Sequence, residues 1–243
     1  MPRRVNPESR WILLAVDPHL AGLPWQDLFR RVDERETIVS LVPNFGWITG
    51  SYHRAWQSSS DGLALVMSDE DEDLRPLAER IRQDRPGISA QFGSAAIVLG
   101  HGVWKEDVPS VRIGRSALTL EEWMRAVDRR VCVVHSCYGG RADHRFLGDI
   151  GQLPGLALAL GCRLFIAPVA EVPLAAATAL HDHLVRANGP REIGLRYLEA
   201  IREHPAVALY NLYGFGNERT HGHFAGAEGY VPDYGTRPAV AAA

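Results

Sequence analysis

The residue order predicts an α/β layered fold with a mostly parallel central sheet. Short apolar runs alternate along the chain with segments of helical pattern. Several of these runs are continuously apolar rather than alternating, as in strands buried on both faces. Two of them end at chemically capable, glycine-flanked residues. Ala95-Ala96-Ile97-Val98-Leu99 runs into Gly100-His101-Gly102, and Val131-Cys132-Val133-Val134 runs into His135-Ser136-Cys137-Tyr138-Gly139-Gly140.

Residues 10 to 16 form a first strand. Leu23-Pro24-Trp25-Gln26-Asp27-Leu28-Phe29 opens a helix, with Pro24 suited to its first turn. Thr37 to Val42 is rich in β-branched residues and reads as a second strand. A short helix is expected over residues 46–56 and a third strand over 62–67. Asp69-Glu70-Asp71-Glu72-Asp73 leads into a helix over 74–82 and reads as its solvated, favourably acidic start rather than as a metal site. The histidine strand follows. Residues 103–114 are polar and contain proline, which predicts an exposed loop. Thr119 and Glu122 have capping-box spacing for another helix. After the cysteine strand come an apolar helix over 153–160, a strand over 163–167, helices over 173–187 and 192–202, and a final short element over 206–213. Gly, His and Pro dominate from about residue 218, predicting a loose tail.

At 243 residues and 46% hydrophobic, the chain can bury a full core, which excludes global disorder. A net charge of −3 gives no basic excess to hold a phosphate backbone, so nucleic acid is not an expected partner. The longest apolar stretches break within about a dozen residues, too short to cross a bilayer. Met1-Pro2-Arg3-Arg4 is basic, but no signal-type cleavage site follows. The expected location is the cytoplasm. Cys132 and Cys162 read as small buried hydrophobes, and three cysteines make no disulfide framework.

In a parallel sheet, ligands bind beyond the carboxyl ends of the strands. His101 and Cys137 both stand there, and the interval between them suits a strand–helix–strand crossover. A thiol becomes a good nucleophile when a base sits beside it. Attack on a carbonyl also needs donors for the oxyanion, each worth about 3–4 kcal/mol. The backbone amides of Gly102 and Cys137 are the natural pair. Gly139 and Gly140 allow a sharp turn and close approach of a substrate. A core histidine and a buried cysteine that never meet are the competing explanation. No metal or cofactor is expected: no phosphate-binding G-x-x-x-x-G-K-[ST] occurs, and His135 with Cys137 lacks two further spaced ligands. His135 reads as packing, His181 and His183 as surface residues, and His221 and His223 as solvated tail residues. An α/β-hydrolase-type esterase is a weak third reading, because no G-x-S-x-G elbow is present.

These blocks together resemble the CHAT branch of the caspase-like cysteine peptidases, the group that includes caspases and separases. Leu23-Pro24-Trp25-Gln26-Asp27-Leu28 is similar to the family's "LPWE-L" helix, and Val39-Ser40-Leu41-Val42-Pro43 to its "V-Y-P" strand. Leu99-Gly100-His101-Gly102 matches the histidine motif, and Leu118-Thr119-Leu120-Glu121-Glu122 the "LT-E" segment. Val134 to Gly140 stands where the family has "LSAC-TG". Residues 153–167 resemble its "L-A-L-AGA-VI-S" segment, and Tyr210-Asn211-Leu212-Tyr213-Gly214 its closing "F-LYG". The resemblance implies a caspase-like three-layer sandwich. A tail over 1–9 would precede a regulatory-looking α/β part over 10–92, a catalytic part over 93–217 and a tail over 218–243. It also implies an endopeptidase acting on a protein substrate, with Cys137 as nucleophile, His101 as base and an acyl-enzyme intermediate. Relatives act in bacterial defence and signalling, often with partner proteins, so a regulatory partner is expected. Candidate substrate contacts are Tyr138, Gly139, Glu171 and Asp143. The chain departs from the family after residue 168, where the Trp is missing and Leu174 and Ala175 replace an acidic pair. That departure motivates the alternative of a degenerate scaffold that binds partner proteins without turnover.

Overall fold

The computed structural model describes residues 10–17, 20–32, 37–42, 63–67, 71–84, 95–105, 108–113, 116–117, 131–137, 139, 153–185 and 193–215. The helices expected over 46–56 and from Thr119, and the tail beyond 217, lie outside them.

The apolar runs become strands β1 (Arg10–Ala15), β2 (Thr37–Val42), β3 (Leu63–Val66), β4 (Ala95–Leu99), β8 (Val131–His135) and β9 (Leu164–Pro168). Every residue of β2, β4, β8 and β9 is buried, the pattern their uninterrupted hydrophobicity requires. With β10 (Tyr210–Gly214) they form one seven-stranded sheet in the order β1-β2-β10-β9-β8-β4-β3. All neighbouring pairs are parallel except β10 with β9.

Side chains at alternate positions feed two cores. One face carries Ile97, Leu99, Val131, Val133 and Ile166, packed beneath α2 (Arg75–Asp84), α4 (Leu174–Val185) and α5 (Ile193–Glu203). The other carries Val98, Cys132, Val134 and Phe165, packed with α3 (Leu153–Leu160) and with Trp25 of α1 (Trp25–Val32). Helices on both faces of a mostly parallel sheet give the expected three-layer sandwich. Cys132 and Cys162 are 0% and 1% exposed, as small core residues should be.

Two local devices fix the layers. Gly161 ends α3 with φ at +112°, a conformation that favours glycine. Its N–H donates to Leu158 O at 3.1 Å and that of Cys162 to Ala157 O at 3.0 Å, a Schellman closure that turns the chain into β9. At the other end of the sheet, the Gln26 side chain donates to Thr37 O at 2.7 Å and accepts from Val39 N–H at 2.9 Å. It supplies the start of β2 with the hydrogen bonds of a missing strand neighbour, because β10 pairs β2 only from Ser40 onward.

Two expectations are corrected. Residues 103–114 are not a loop: β5 (His101–Lys105) and β6 (Val108–Ile113) form an antiparallel hairpin, extended by β7 (Ser116–Ala117). Val111 and Ile113 alternate with exposed Arg112 and pack into the α3-side core. The final element is also two pieces, a 3₁₀ turn (Pro205–Leu209) and β10. That tight turn reverses the chain after α5 and sets β10 antiparallel to β9.

Candidate functional site

Four parallel strands end at one edge of the sheet, and each releases a polar residue there. Asp71 follows β3, His101 follows β4, Cys137 follows β8 and Glu171 follows β9. The antiparallel β10 starts at the same edge with Tyr210, opposite Pro168.

β4 and β8 stay paired to their ends. Leu99 lies opposite His135, and Gly100 N–H donates to His135 O at 3.2 Å. The chain then leaves the sheet as β5. A Cβ at Gly100 would stand 2.7 Å from Arg112 O and 2.8 Å from Val111 Cγ1, so the hairpin can fold back only over a glycine. A Cβ at Gly102 would overlap the carbonyl of Cys137. The residue after the histidine thus rests directly on the main chain of the cysteine. Gly139 N–H donates to Ser136 O at 2.9 Å, closing a tight turn that holds Cys137 just past β8. Cys137 is a free thiol, half-buried, and the His101 side chain is 29% exposed, so solvent reaches both.

Beneath the turn, His135 is 4% exposed, and its Nδ1 lies 2.9 Å from the Tyr210 hydroxyl. Burial, with a smaller contribution from nearby His181, lowers its pKa to about 3, so it stays neutral. This agrees with a packing role. Burial, with a smaller electrostatic contribution from Cys137, pushes the Tyr210 phenol far above its ordinary range. Tyr197 Oη donates to Tyr210 O at 2.6 Å and fixes the strand end.

The acidic run before α2 is not wholly a solvated helix start. Glu72 and Asp73 are exposed, but Asp71 is only 8% exposed, and its Oδ1 lies 3.4 Å from His101 Nε2. Sequence reasoning missed this residue. The one available signal was topological: it follows a parallel strand at the edge where the histidine emerges.

His181 is not a surface residue. It is 1% exposed between α4 and α2, with Nε2 3.2 Å from Asp84 Oδ2. Burial lowers its pKa, opposed by the bond to Asp84. Donor atoms of Asp84, His181 and Asp182 lie within 4.8 Å of one another, a spacing compatible with a cation. Arg80 already supplies positive charge there, its Nε donating to Asp182 Oδ1 at 2.7 Å. His183, half-buried, meets Glu203 at 2.8 Å.

Of the predicted site residues, His101, Gly102, Cys137 and Gly139 are gathered at one end of β4 and β8. Glu171 is exposed on the segment between β9 and α4, as are Leu174 and Ala175 at the start of α4. Tyr138, Gly140, Asp143, His221 and His223 lie outside the described residues. Among the described residues, no helix is long and apolar enough to cross a membrane.

No family model matches the chain, and no curated protein matches it by sequence. Solved structures do. The chain is similar to separase in a Saccharomyces cerevisiae separase–securin complex at 2.6 Å resolution, with a TM-score of 0.58 and 11% identity over 84% of this chain. A second structure of that complex, at 3.0 Å, gives 0.57 and 12% over the same share. The chain spans 15% of the length of these separase chains. At such identity the likeness is one of fold, and the fold is the caspase-like α/β sandwich.

Proposed function

We propose that this chain is a caspase-like cysteine endopeptidase of the CHAT kind, acting on a protein substrate in the cytoplasm. The observation that carries the reading is the seating of Gly102 on the main chain of Cys137, which brings the histidine segment against the cysteine turn at the ligand-binding edge of the sheet. Cys137 attacks the scissile carbonyl carbon after losing its thiol proton to His101. The tetrahedral oxyanion accepts hydrogen bonds from the amides of Gly102 and Cys137. His101 passes the proton to the leaving amine as the C–N bond breaks. Water, deprotonated by His101, then hydrolyses the thioester and restores the thiol. Tyr138, Gly139, Asp143 and Glu171 are the proposed substrate contacts. Residues 93–217 form the catalytic part, residues 10–92 the regulatory-looking part, and a regulatory partner protein controls access, in a bacterial signalling or defence setting.

The test is cleavage of a peptide library by purified protein. Cys137→Ala and His101→Ala are each expected to lower the rate by about 1,000-fold or more. Cleavage by Cys137→Ala at the wild-type rate overturns the reading. A second reading, a scaffold that binds a partner protein without turnover, is favoured by exposed Leu174 and Ala175 where relatives carry acids. Absence of cleavage by wild type, with retained capture of a partner by Cys137→Ala, would select it.

A further inference from the structure

Asp71 has no part in the dyad just described, yet its carboxylate faces the imidazole. It stands four residues ahead of Arg75, the first helical residue of α2, whose approach is closed by Arg75 N–H donating to Glu72 O at 3.3 Å. The carboxylate is 8% exposed at the carboxyl end of β3, with Oδ1 3.4 Å from His101 Nε2. Long contacts of this kind tighten when a substrate fills a site. A carboxylate at one imidazole nitrogen keeps the proton on that nitrogen, leaves the other as the base, and stabilises the imidazolium once formed. Beside the His101 segment stand Cys137, across Gly102, and exposed Arg112, its partner in the β5–β6 register.

We propose that Asp71 is a positioning residue that holds His101 by Nε2 and directs Nδ1 to the Cys137 thiol. The inference rests on the reading of His101 and Cys137 as a dyad, and the experiment separates the two. The full chain is treated with iodoacetamide from pH 5 to 10, and alkylation of Cys137, in which the thiolate forms an S–C bond and releases iodide, is followed by mass spectrometry. At pH 6.5 Asp71→Asn is expected to react about tenfold more slowly than wild type. The two rates are expected to converge near pH 10, where the thiolate no longer needs the imidazolium. A merely structural loss would lower the rate at every pH. Asp71→Glu is expected to recover part of the loss. If Asp71→Asn follows the wild-type profile while His101→Ala departs from it, the inference falls and the dyad stands. If His101→Ala also follows the wild-type profile, the dyad itself falls. Should Asp71→Asn not fold, Asp71→Ser carries the test, because a rate slowed at pH 6.5 that converges near pH 10 supports the role and a profile coincident with wild type overturns it.

Discussion

Gly102 is the residue on which the site turns, because any side chain there would occupy the space of the Cys137 carbonyl. Gly102→Ala must therefore move either the hairpin or the cysteine turn. The expected result is a stability loss of about 1–3 kcal/mol by urea denaturation, with Cys137 alkylation at pH 6.5 slowed as in His101→Ala. His135 makes a second residue-scale prediction, through pH. Its folded-state pKa is depressed to about 3, so the unfolded chain binds the extra proton below the ordinary histidine value. The stability linked to it is complete above about pH 6.5 and is lost as pH falls toward 3. Between pH 6.5 and 5 the loss is about 2 kcal/mol, and buried His181 shifts in the same direction. Urea denaturation at pH 7.5 and 5 should show His135→Gln losing about 2 kcal/mol less than wild type over that interval.

At the scale of the element, the start of α1 depends on a strand far away in sequence. Trp25 N–H donates to Asn211 Oδ1 at 3.2 Å, and Asn211 Nδ2 donates to Ala21 O at 3.1 Å and Leu23 O at 2.8 Å. A remote asparagine thus does the work that a local N-cap side chain does elsewhere. Asn211→Ala removes these three hydrogen bonds and is expected to cost about 2–3 kcal/mol, read as a lower melting temperature. Asn211→Asp keeps the acceptor but sets a carboxylate oxygen against the carbonyls of Ala21 and Leu23, and is expected to cost at least as much as Asn211→Ala. The β5–β6 hairpin shows the converse. Its half-polar alternation and Pro109 look like a loop in isolation, and it becomes a ribbon because Val111 finds the core beneath it.

For the whole molecule, the sheet interleaves strands from the two ends of the chain. β2 pairs with β1 on one side and β10 on the other, and β3 pairs with β4, so strands from 10–92 and from 93–217 share one sheet. Unfolding of the full chain is expected to be a single transition, with β2 and β8 amides equally protected in hydrogen exchange. Two transitions would show that the parts fold separately. The apolar runs alone were enough to place strands over 37–42 and 95–99, and, within a residue at the ends, over 131–134 and 163–167, since four or more consecutive buried residues leave few alternatives to a doubly covered strand. Glycine spacing likewise marked His101 and Cys137 as strand-end residues. Partner choice for isolated polar groups was not written locally. Asp71 reads like its exposed neighbours, His181 like a surface residue and Asn211 like a strand residue, until β3, α4 and β10 are set beside β4, α2 and α1. Hydrophobic pattern acts over a few residues and is visible in the chain. Hydrogen-bond and charge partners are chosen across tens to hundreds of residues, and only the assembled sheet decides them.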